Sequence, residues 1–114
     1  GEFITKAQTE GKEEETSTIN SLKITVRILT EHDIEHRNLP EYTKGLVITE
    51  IENDSPLNYL QVNDVIVEVQ KKKITSIKML NDIVDSVLRS DESNLLIVVY
   101  DNRNQRRYLG VKIK

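Results

Sequence analysis

The chain has no cysteine, so neither a disulfide framework nor a cysteine-based zinc site is open to it. Glycine is nearly as scarce, with four residues standing apart at positions 1, 11, 45 and 110. None of them frames a serine, which excludes a nucleophile elbow and a glycine-rich oxyanion turn. A glycine-rich phosphate cradle fails for the same reason. No apolar run approaches the roughly 20 residues that cross a bilayer, and no secretory signal pattern is visible. Positive charge is not in excess either. The formal net charge is −3, and acidic and basic residues are interspersed over the second half. That does not suit a nucleic-acid binder, which needs a basic face.

What is present suits one domain. The 114 residues are enough to bury a core without disulfides or metal. The first three residues, GEF, read as an expression scar, and the chain as a piece of a longer protein. Residues 4–20, ITKAQTEGKEEETSTIN, are polar and acidic and lack an apolar period. They are expected to be a disordered acidic linker. The folded domain is expected over residues 21–114.

Within it, LKITVRIL (22–29) alternates: Leu22, Ile24, Val26 and Ile28 share one face, Lys23, Thr25 and Arg27 the other. That is a half-buried strand. Thr30 with Asp33 three residues on resembles a capping box, and Pro40 ends any helix begun there, so a short helix is expected over 31–37. GLVITEI (45–51) reads as a strand between Gly45 and the turn residues Asn53 and Asp54. Ser55 and Pro56 suit the start of a single helical turn. DVIVEVQ (64–70) is another strand, and KKKI turns into a short extended piece. The strongest helix is SIKMLNDIVDSVLRS, capped by Ser76. Leu80, Ile83 and Val87 cluster on one arc of it, and Ile77, Val84 and Leu88 on an adjacent arc together with Asn81. One arc can pack on the core, which leaves the other free to line something else. NLLIVVYD and RRYLGVKIK close the chain as a hairpin joined by DNRNQ.

Three features invite a chemical reading. His32 and His36 lie at i, i+4 on the short helix, a spacing that can hold a metal. HDIEH lacks the glutamate placement of a metalloprotease helix, though, and no third ligand is evident, so two surface histidines is the favoured reading. Lys71–Lys73 with Arg106 and Arg107 could form a small basic patch, but solvated loop residues suit the acidic total better. Asp64, in SPLNYLQVNDVIVEV, follows Asn63 at the entry to a strand. Asn tolerates a left-handed backbone and an Asp side chain accepts backbone N–H bonds, so Asp64 is read as shaping a turn. No catalytic set, metal site or cofactor site emerges from these residues.

Residues 44–84, KGLVITEIENDSPLNYLQVNDVIVEVQKKKITSIKMLNDIV, resemble a PDZ domain. The family's marks appear as GLVI, the Ser-Pro turn, LQVNDVI with Asn63 in place of the usual glycine, and the helix from Ile77. The variant resembled is the bacterial one, found in HtrA/DegP-type serine proteases. LTEHDIEHRNLP before KGLVITEI is most similar to their second, C-terminal PDZ domain, and YLGVKIK at the end fits a natural C-terminus there. The resemblance covers residues 21–114. It implies an α+β fold of the circularly permuted bacterial type: a small antiparallel β-barrel or sandwich of five to six strands capped by two helices.

The resemblance further implies a peptide-binding module of a periplasmic serine endopeptidase of protein quality control. The chain itself would be no enzyme. Its partners would be C-terminal or unfolded polypeptide segments and the protease and PDZ domains of the parent, with the piece monomeric and the parent a homo-oligomer. Such domains bind a peptide terminus by β-augmentation. By similarity, the strand edge would be Ser21, Leu22, Lys23, Ile24, Thr25 and Val26, and the opposite wall Ile77, Asn81 and Val84, with Leu80, Ile83 and Val87 in the core. Amides around 21–23 would hold the terminal carboxylate, with Lys23 adding charge. The alternative is a spacer or inter-subunit contact with no working groove. It is motivated by NSLKI, which lacks the glycines of the family's carboxylate loop.

Overall fold

The computed structural model describes residues 16–113. Seven strands and two helices follow one another as β1 (Thr16–Ile19), β2 (Ile24–Ile28), α1 (Glu31–Arg37), β3 (Leu46–Ile51), β4 (Val65–Val69), β5 (Lys72–Lys73), α2 (Ile77–Arg89), β6 (Asn94–Tyr100) and β7 (Arg106–Lys112). They form one sheet in the order β1-β2-β3-β4-β6-β7, with β5 paired to β4. Every described pairing is antiparallel. The architecture is the PDZ-like α+β fold that the resemblance implied. Among the described residues no helix is long and apolar enough to cross a membrane.

Residues facing opposite ways from the central strands feed two separate cores. Leu46, Ile48, Ile66, Val69, Ile97 and Val99 join the larger one, into which α2 sends Leu80, Val84 and Val87. Val47, Val65, Val67 and Val98 point the other way, into a smaller core against which Ile34 of α1 packs. Strands covered on both faces need apolar residues at every step. That is why LVI, VIV and IVV run without alternation, while ITVRI of β2 alternates with only Ile24 and Val26 buried.

Local chemistry sets the helix ends. Thr30 and Asp33 form a full capping box at α1, and Asn38 closes the helix in a left-handed conformation. Ser76 accepts from the Met79 N–H at the start of α2. The expected helical turn after Ser55 is instead a run of turns, with the Leu60 N–H bonded to the Leu57 carbonyl. The Ser55 hydroxyl caps the Leu57 N–H as its position suggests, but it also donates to the Leu22 carbonyl at 2.5 Å. That distant acceptor fixes the turn against β2.

The largest departure lies at the N-terminal side. Thr16–Ile19 fall in the segment expected to be a disordered linker, yet they form β1 and pair with β2. Two threonines and an isoleucine suit a strand, and Ile19 is fully buried. Residues 4–15 of that segment and the three leading residues lie outside the described residues. With β1 and the two-residue β5, the sheet has seven strands rather than five or six.

Candidate functional site

The strand read as a peptide edge is β2 with the loop before it. Leu22, Ile24 and Val26 point inward and are buried. Thr25 is half-buried; its carbonyl accepts from the Thr49 hydroxyl at 3.2 Å, where an extra residue in β3 shifts the register. Ser21 is exposed in the turn. Lys23 takes a left-handed backbone, φ 57. Its ammonium bonds Asp54 at 2.5 Å, which raises the Lys23 pKa and lowers that of Asp54. The Lys23 charge is therefore already committed within the domain.

Helix α2 packs against β2 and β6. The helix is rotated from the expected division, however. Val84 lies in the core beside Leu80 and Val87, fully buried, and Ile83 is only half-buried, at the margin. Ile77 and Asn81 are half-buried, and Ile77 packs against the core's edge. The two arcs differ by one step around the helix, and the choice between them rests on where the sheet lies.

Both edges of β2 are occupied. One pairs with β3 and the other with β1, in the register Thr16 opposite Arg27, Ser17 opposite Val26, Thr18 opposite Thr25 and Ile19 opposite Ile24. The Thr18 and Thr25 hydroxyls stand 3.3 Å apart. The amides expected to receive a carboxylate already have an acceptor: the Leu22 and Lys23 N–H groups both donate to the Ile19 carbonyl, at 3.0 and 2.7 Å. Sequence reasoning missed the strand Thr16–Ile19 that lies along this edge. The signal was three β-branched residues within Thr16–Ile19, with the single apolar one four positions before Lys23.

The other candidates have structural explanations. Asp64 is buried, and its Oδ2 accepts from the Gln61 N–H at 2.9 Å, closing the turn before β4. Burial raises its pKa, partly countered by that bond, and its Oδ1 has no protein partner. Asn63 beside it has φ 81, the left-handed position expected of it. His32 and His36 stack with ring centroids 5.9 Å apart, and no group of three or more potential metal ligands occurs among the described residues. Arg106 pairs with Glu68 at 2.7 Å and lies over the Tyr108 ring, while Arg107, Lys72 and Lys73 are exposed.

No protein-family model matches the chain. A curated protein from Rickettsia conorii, described as a probable periplasmic serine endoprotease DegP-like, is 28% identical over 98 residues. The match takes in 86% of this chain and 19% of the relative, so the chain spans about a fifth of that protein's length. A solved structure described as the HtrA-type protease AlgW with decapeptide is similar with a TM-score of 0.59 and 26% identity, over 80% of this chain and 27% of that one. The antiparallel sheet with its two helices and both similarities support a PDZ-like domain similar to those of HtrA/DegP-type serine proteases.

Proposed function

We propose that the domain is a peptide-binding module, the second PDZ domain of a periplasmic HtrA-type serine endopeptidase of protein quality control. It takes C-terminal or unfolded segments by β-augmentation and presents them to a protease domain outside this chain. The observation that carries this reading is β2 itself. Its edge away from β3 supports an added antiparallel strand, since Thr16–Ile19 lie along it in register. The loop before it aims two consecutive N–H groups at one oxygen. Convergent amides of this kind suit an anion as well as a carbonyl. Lys23 supplies the positive φ that glycine would otherwise provide, so the glycine-free loop can still form the nest. The solved relative described with a decapeptide supports the same use.

The test is a titration of the labelled domain with apolar-ending peptides, each with a free and an amidated C-terminus, monitored by backbone amide shifts. Shifts at 21–28 and 77–88 that need the free carboxylate are expected. No shift with any peptide at about millimolar concentration, a free energy of only ~4 kcal/mol, would refute the reading.

The cover on β2 favours one other reading, a contact between subunits of a homo-oligomeric parent with no working groove. Sedimentation of the parent with and without this domain separates the two, because only the assembly role changes the oligomer.

A further inference from the structure

The β2 edge is complete before any partner arrives, and the segment that completes it has the properties of a ligand. β1 runs antiparallel to β2 and ends at Ile19 beside the amide pair. Ile19 is the one fully buried side chain of β1, in the same cluster as Leu22, Ile24, Leu80 and Val84. Ser17, two residues back and so on the same face, is half-buried; Thr16 and Thr18 are exposed. The Ile19 carbonyl takes the two N–H bonds that a chain-terminal carboxylate in its place would take.

We propose that Thr16–Ile19 is a resident stand-in for the ligand, and that an outside segment enters by displacing it. The inference rests on the peptide-binding reading above and specifies it. The ligand is then a free chain terminus with an aliphatic last residue, best β-branched to match Ile19. A Thr, Ser or Val precedes it, opposite Thr25, and a small residue stands two back, in the place of Ser17.

The hold of β1 on β2 is of the right kind to be exchanged. It consists of one buried aliphatic side chain, a four-residue antiparallel pairing and an exposed hydroxyl contact. β1 is a four-residue strand at the end of the sheet, where local opening costs less than in the central strands. An arriving strand makes the same main-chain bonds and gains a charged acceptor at the amides, where β1 offers only a neutral carbonyl. Because β1 competes for the site, the observed affinity is lowered by the fraction of time that the edge is free.

The test uses residues 1–114 and a peptide ending in Thr-Ser-Thr-Ile with a free carboxylate, against its amidated form. Ile19→Ser removes the buried anchor and is expected to tighten binding by about tenfold or more. Thr18→Cys with Thr25→Cys places thiols at directly opposed positions whose native hydroxyls are 3.3 Å apart. Oxidation should lock β1 down and abolish binding, and reduction should restore it. This arm stands even where Ile19→Ser fails to fold. Equal binding by the oxidised and reduced forms would overturn the displacement while leaving peptide binding intact. No binding by any form would overturn both readings.

Discussion

Replacing Asp33 by asparagine should destabilise the domain at neutral pH and leave it nearly unchanged in strong acid. Asp33 closes the capping box of α1, accepting from the Thr30 N–H at 2.8 Å, and holds Arg27 of β2 through bonds of 2.7 and 3.0 Å. Burial works against its ionisation, but the hydrogen bonds from Arg27 and Thr30 outweigh that cost and lower its pKa from 3.8 to about 2. A drop of that size corresponds to about 2 kcal/mol. Because the folded pKa is the lower one, this stability is present above 3.8 and is lost as pH falls toward about 2. Asp33→Asn keeps the shape and one acceptor oxygen and removes the charge. Urea unfolding of parent and variant across this range should show a gap of about 2 kcal/mol near neutrality that closes in acid. A gap that persists unchanged at about pH 2 would mean that the cap geometry carries the effect. No gap at neutrality would refute the argument.

Two further substitutions probe the positions that shape β3 and β4. A Cβ on Gly45 would lie 2.6 Å from the Ile66 carbonyl oxygen and 2.9 Å from Val65 Cγ1, so Gly45→Ala should cost about 2 kcal/mol by forcing the strands apart. An unchanged urea midpoint would show that β3 and β4 have room to shift. Asn63 sits at φ 81, so Asn63→Val should lose about 2 kcal/mol while Asn63→Gly holds or gains. Equal thermal unfolding of the two would refute the claim that this turn selects its residue by backbone conformation.

Much of the fold was legible because its signals are local. The Thr30–Asp33 pair marked the start of α1 and Pro40 its approximate end, Ser76 marked the start of α2, and the β6–β7 hairpin was evident from the two strand-like runs around Asp101–Gln105. What was not legible depends on partners distant in sequence. Ser55 reads as a helix cap until the Leu22 carbonyl, 33 residues earlier, is known to take its hydroxyl. On α2, Ile83 and Val84 are neighbours that differ by about 100° around the axis, and only the position of the sheet decides that Val84 is the buried one. β1 was missed because a four-residue strand with one apolar side chain has no measurable period, and its evidence is the edge it covers. The same limit applied at the candidate site: nothing local in the sequence shows that the Ile19 carbonyl takes the Leu22 and Lys23 amides.

The glycine-free loop also shows what a missing glycine means. Six described residues other than glycine have positive φ, namely Lys23, Asn38, Asn63, Gln70, Lys71 and Asn104, and no described glycine does. The chain sets its left-handed turns with asparagine and with long polar side chains, each at some cost in backbone strain. At Lys23 that strain accompanies two gains: the Asp54 pair and an N–H aimed at the Ile19 carbonyl. If the backbone conformation is what position 23 must supply, Lys23→Gly should unfold at a higher temperature than Lys23→Val, in high salt where the exposed pair is screened. Val loses the charge as Gly does but resists φ 57. Equal unfolding temperatures would mean that the loop relaxes away from the left-handed turn at little cost. The convergence of the Leu22 and Lys23 amides would then be a consequence of β1 lying against β2, and a terminal carboxylate would find no nest once β1 left.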